Sequence, residues 1–246
     1  MTQVSYQLYC SRNFPPLTDT CKMLAETGYR EVEGYGGLLD DLDGLKAALD
    51  QNGLRMTSCH VGLDMIESNP QMLLDLAGSV GLEKVFVPYL AAEDRPVDSE
   101  GWRAYATRVV AAGKPLRDAS LGFGWHNHDF EFIKTGQGDR PEDLLAEAGL
   151  ALELDLGWVA RAGLDPVDMI KNYGDKIIAA HIKDLAPAGE NADEDGWADV
   201  GHGVQNWGAI HAALQDVGCT HYVVEHDNPK DHARFAARSL ATVQSF

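Results

Sequence analysis

The sequence predicts an α/β fold of the (β/α)8, or TIM-barrel, class, and three observations lead there. Eight apolar, strand-like runs recur along the chain at the spacing of βα units. Residues that start and stop helices fall between them. The length, 246 residues, is close to the roughly 250 of a complete barrel of this kind. An open doubly wound sheet shares the same local signals, but no GxGxxG follows the first run, which weighs against its dinucleotide-binding version.

The runs span 4–10, 30–34, 55–61, 84–90, 122–131, 151–156, 177–183 and 221–226. Stretches such as KVFVPYL, KIIAAHI and HYVVE are nearly continuous in apolar residues, as expected of parallel strands covered on both faces. Asn69-Pro70 and Asp165-Pro166 each set a capping side chain before a proline at the first helical position. Gly28, Gly53, Gly81, Gly174 and Gly218 stand where helices should end. Leu73, Leu76, Ala77 and Val80 show the helical period between such marks. No linker or low-complexity stretch interrupts the pattern, so one domain over 1–246 is expected. The segment 186–205 is acidic, glycine-rich and aperiodic, a candidate lid.

The formal charge of −18 disfavours nucleic acid as a partner and points to a neutral small molecule. No apolar run approaches the roughly 20 residues of a membrane helix, and the N-terminus runs straight into VSYQLYC rather than a leader-like stretch. A soluble, cytoplasmic protein without membrane partners is therefore expected, and assembly into a homo-oligomer is compatible with the sequence. Cys10, Cys21, Cys59 and Cys219 are widely spaced and read as free thiols.

Barrel sites lie at the C-terminal ends of the strands. The last four runs end in WHNHDFEF, ALELDLGW, IIAAHIKDL and HYVVEHD, which offer Glu131, Asp155, His181 and Glu225. Neighbouring strands are about 4.8 Å apart, so four successive strand ends can converge. Three carboxylates crowded together call for a cation, and mixed oxygen and imidazole ligation suits one divalent ion. Mn²⁺ is favoured, with Mg²⁺, Co²⁺ or Zn²⁺ as alternatives. Lys183 lies two residues beyond His181 and shares its face; it is expected at a substrate oxygen or in an ion pair. Glu33, His60, His128 and Trp158 also stand at strand ends and are expected to touch substrate. His128 needs a bulge to turn inward if the strand continues to Glu131.

The HNHDFEF, ELDLGW, HIKD and GHGVQNW segments resemble the xylose-isomerase-like TIM-barrel superfamily, in its sugar-phosphate isomerase/epimerase branch. The resemblance runs along most of the chain. It implies that Glu131, Asp155, His181 and Glu225 bind the metal. Where that family often has Gly-Glu-Gly near the last loop, this chain has Gly201-His202-Gly203, so His202 is a further candidate for substrate contact. Trp158 replaces the histidine that tagatose and psicose 3-epimerases carry there, so their specificity is not implied. The chemistry implied is proton transfer beside the carbonyl of a sugar or keto-sugar, with Glu131 and Glu225 as acid and base. Epimerase, isomerase and dehydratase outcomes all follow from the same enediolate. An AP-endonuclease-like phosphodiesterase and a non-catalytic sugar-binding barrel are the other readings.

Overall fold

The computed structural model describes residues 2–246. Eight strands form the barrel: β1 (Gln3–Gln7), β2 (Glu31–Tyr35), β3 (Arg55–His60), β4 (Lys84–Val87), β5 (Gly122–His126), β6 (Ala151–Asp155), β7 (Ile177–Ile182) and β8 (His221–Val224). All pair in parallel, each with its sequence neighbour. Pairing of β1 with β8, from Gln3 opposite His221 to Tyr6 opposite Val224, closes the ring and excludes the open sheet.

Helices cover the outside because each has one apolar stripe to bury. Leu45, Ala48 and Leu49 form that stripe on the helix Leu42–Asn52. Leu73, Leu76 and Val80 form it on Pro70–Val80, as the helical period predicted. A fully buried leucine of this kind stabilises by about 1.5–3 kcal/mol. The expected caps form: Asn69 accepts a hydrogen bond from the Met72 amide and Asp165 one from the Val167 amide. Gly53, at φ 62° and ψ 34°, ends its helix in a left-handed conformation that a side chain would strain. All four cysteines are buried and free.

Most strands end earlier than the apolar runs suggested, the first, fourth and fifth by three residues or more. The first stops at Gln7 and turns into a 3-10 helix, Leu8–Ser11. The fifth stops at His126 rather than near Glu131. The cause is Asn127. Its side-chain oxygen accepts from the Asp155 amide at 2.9 Å and its nitrogen donates to the Asp155 carbonyl at 3.3 Å. A side chain thus takes the place of the next backbone rung, and the chain leaves the sheet.

The segment 186–205 is folded and anchored, with the Trp197 ring 4.1 Å from Lys183 Nζ. It contains a 3-10 turn, Ala192–Glu194, and Trp197–Ala198 pairs antiparallel with Asp184–Leu185. Asp184 pins its far end by accepting from the amides of Gly201, Gly203 and Gln205 and from the Trp207 indole. Asp199 ties it to the last helix through Arg234 and Arg238. No described helix is long and apolar enough to cross a membrane.

Candidate active site

Barrel interiors are usually filled by Val, Ile and Leu. This one is polar from base to mouth. At the base, Ser5 contacts Thr57 and His221, and Lys84 reaches His221. Above them Glu33, His60, His126, Glu153 and His181 form a middle layer. Asp155, Lys183, Glu225 and Asp227 form the top. The layering follows from strand alternation, since residues two apart share a face. Glu153 and Asp155 therefore both point inward from β6, as do His181 and Lys183 from β7 and its extension.

The structure brings three of the four expected metal ligands together. One ligand atom from each of Asp155, His181 and Glu225 lies within 4.8 Å of the others, and all three residues are buried. Asp155 Oδ2 and His181 Nδ1 make no hydrogen bond, and Glu225 Oε2 has only its ion pair with Lys183 Nζ at 2.7 Å. Buried polar atoms left without a partner cost about 1–3 kcal/mol each, so two of them converging with a third carboxylate oxygen fit a divalent ion. His181 turns its other nitrogen to Glu33 Oε1 at 2.8 Å. That contact fixes the tautomer and leaves Nδ1 free as a ligand.

Glu131 is not part of this set. It lies beyond the end of β5 in the 3-10 turn Phe130–Phe132. Its carboxyl accepts from the Trp125 indole at 3.0 Å and from the His128 amide at 2.8 Å, away from the cavity lining. Burial pushes it up to about 8, against the pull of those hydrogen bonds. The β5 residue that reaches the interior is His126. Glu131 as ligand and as acid–base partner is thus corrected: its reach is spent on shaping the loop that carries His128.

A cavity of about 420 Å³ opens above the layers, lined by His60, His126, His128, His181, Lys183, Glu225 and Asp227 among others. Lys183 is almost fully buried, with Nζ 2.7 Å from Glu225 Oε2 and 2.6 Å from Asp227 Oδ2. Burial works against its charge, but Asp227, Glu225 and Asp155 outweigh that and raise its pKa. Burial pushes Glu225 up to about 7 although Lys183 pulls it down. Burial, helped by Lys183, lowers His128 to about 4 and keeps its imidazole neutral.

His60, His128 and Lys183 thus line the cavity as expected. The strand's early end turns His128 inward without a bulge. Glu33 lies one layer below, bonded to Gln7 and His181. Trp158 is not a lining residue; it packs on His128 and Trp197 and lies 4.7 Å from Lys183 Nζ. His202 is exposed, receives a hydrogen bond from Arg238, and stands outside the lining. Glu153 and Asp227 were not anticipated. Alternation from Asp155 and Glu225, two residues away in each case, is the signal that points to them.

The family model described as xylose isomerase-like TIM barrel matches residues 21–243. A curated inosose dehydratase from Geobacillus kaustophilus is 24% identical over 185 residues, covering 66% of this chain and 60% of that protein. The chain thus matches less than two thirds of that relative's length. A solved sugar phosphate isomerase/epimerase from Parabacteroides distasonis superposes with a TM-score of 0.81 at 20% identity, over 100% of this chain and 94% of that one. The IolI protein, solved with a bound zinc atom, gives 0.77 at 16% identity, over 100% and 97%.

Proposed function

The chain belongs to the xylose isomerase-like TIM-barrel family, and from that premise we propose that its barrel mouth moves a proton on a carbon beside a carbonyl. The substrate class is a sugar, keto-sugar or keto-cyclitol, and the outcome is isomerisation or epimerisation. The observation that carries this reading is the convergence of Asp155, His181 and Glu225, with Asp155 Oδ2 and His181 Nδ1 buried and unbonded, next to Lys183 under a cavity of about 420 Å³. That volume lies within the usual range for small-molecule sites, roughly 300–1,000 Å³.

A divalent ion held by Asp155, His181 and Glu225, with Mn²⁺ the favoured choice, supplies Lewis acidity toward a carbonyl oxygen. Glu225 takes the proton from the adjacent carbon. Burial favours the protonated form of its carboxyl, which suits a group that must accept a proton from carbon. Lys183 faces the oxygen on which negative charge builds, and it stays charged because two carboxylates hold it. His128, neutral and on the β5 side, holds a substrate hydroxyl. Return of the proton by Glu225 to the neighbouring carbon, together with passage of the hydroxyl proton to the former carbonyl oxygen, completes an isomerisation. The epimer would need a proton delivered to the same carbon from the other face by a second acid, a role for which His128 is placed in the cavity lining.

The likeness to an inosose dehydratase supports a second outcome. There the same proton removal is followed by loss of a β-hydroxyl, which takes up a proton and leaves as water.

Glu225→Gln tests the central role. It keeps the size of the side chain and one ligating oxygen but cannot carry a proton at neutral pH. With metal content equal to wild type, exchange of solvent deuterium into a keto-sugar should fall at least ~10²-fold, the lower end for a positioned base. An unchanged exchange rate with metal retained would leave Glu225 a ligand only.

A further inference from the structure

We propose that His60, His126, Glu153 and His181 form a second, inner site for a transition-metal dication of the zinc class, one layer beneath the mouth. The four residues come from β3, β5, β6 and β7, and one ligand atom from each lies within 4.8 Å of the rest. Glu153 Oε2 is the common point. It lies 2.5 Å from His60 Nε2, 3.3 Å from His126 Nδ1 and 3.2 Å from His181 Nε2. Ligand atoms about 2.0–2.1 Å from a tetrahedral zinc stand ~3.4 Å from one another. The His126 and His181 contacts already stand near that spacing, while His60 and Glu153, now joined by a hydrogen bond, would have to part by about 1 Å to admit the ion.

Hydrogen bonds among these groups do not use up their capacity. His126 Nδ1, Glu153 Oε1 and Glu33 Oε2 are buried and have no hydrogen-bond partner. His126 is 4% exposed and Glu153 is 0% exposed, so water in bulk does not compensate them. Glu33, 3.1 Å from His60 and 2.8 Å from His181, adds a second carboxylate beside the site. Two carboxylates against one dication balance the charge, which a buried ion requires.

Donor chemistry separates this site from the mouth. The inner set is three imidazoles and one carboxylate, which suits zinc, copper or nickel. The mouth set is two carboxylates and one imidazole, which also suits harder ions such as manganese. An entry path exists because His60, His126 and His181 all line the cavity. His181 offers Nε2 to the inner site and Nδ1, 3.4 Å from Asp155 Oδ2, to the mouth. Filling both sites at once would require the His181 ring to release to solvent the Nε2 proton it now shares with Glu33 and to serve as an imidazolate.

The test uses Zn²⁺ itself on protein first stripped with a chelator. In Asp155→Asn/Glu225→Gln the mouth set is crippled, while Asn still caps the following helix. This variant should retain about one zinc per chain, with X-ray absorption showing about three imidazole ligands. Adding His126→Gln to that background should remove it, with an unchanged circular dichroism spectrum as the check on folding. A double variant that binds no zinc would overturn the inner site and leave the mouth reading intact. As a second arm, His126→Gln alone should lower wild-type zinc content from about two to about one per chain. Unchanged content there would also overturn it.

Discussion

Glu131 and Glu225 are both buried glutamates near the C-terminal end of the barrel, yet their surroundings assign them different work. Glu225 faces Asp155 across the cavity floor and pairs with the buried Lys183 at 2.7 Å. Glu131 has one N–H donor on each oxygen and no path to the cavity. Glu131→Gln replaces one accepting oxygen by an amide that faces a donor. Its expected cost is about 1–3 kcal/mol of stability, the price of one buried unsatisfied polar group. Calorimetry should show the lower melting temperature, and elemental analysis should find metal content at the wild-type level. Loss of metal with unchanged stability would restore Glu131 to the ligand set.

The elements explain why that distinction was hard to read in advance. The strand order, the helix caps and the glycine stops are local signals, and they were legible in the sequence. So were Asp155, His181, Lys183 and Glu225, each one or two residues from an apolar run. The end of β5 was not. It depends on Asn127 bonding both backbone groups of Asp155, a contact between residues 28 apart that no pattern within one run reveals. Ending the strand five residues early moves Glu131 out of the barrel and leaves His126 as the inward residue. Likewise, the acidic 186–205 segment reads as a loop, and its anchoring by Asp184, Arg234 and Arg238 is visible only in three dimensions. The helix Pro141–Glu147 carries a comparable buried group, Glu142, whose two oxygens have no partner. Burial, with Glu131 and Asp143 nearby, raises its pKa well above the ordinary glutamate value. A carboxyl with a raised folded-state pKa contributes stability that is complete below its unfolded pKa, about 4.3, and is lost as pH rises toward the folded value. Glu142→Gln removes that loss. The variant should therefore melt close to wild type at pH 4 and above it at pH 8, by a margin that widens between the two. A margin independent of pH would mean that Glu142 is charged in the folded protein.

At the scale of the molecule, a closed barrel gathers ionisable groups from seven of its strands and their extensions into one polar interior, inside a chain whose formal charge is −18. That charge offers no basic stripe to a phosphate backbone. Binding to duplex DNA at physiological salt should be weaker than micromolar, as a filter or anisotropy titration can show; tight binding would favour phosphodiester chemistry in this barrel over carbon-acid chemistry. The central claim is that the mouth of the barrel moves a proton on carbon. Its most direct measurement is proton NMR of a panel of keto-sugars and keto-cyclitols in D₂O with the metal-loaded protein. For at least one of them, a single C–H signal next to the carbonyl should disappear at a rate that is abolished by a chelator and restored by Mn²⁺. Protein that holds its metal at Asp155, His181 and Glu225 and exchanges no C–H proton in any compound of the panel would contradict it.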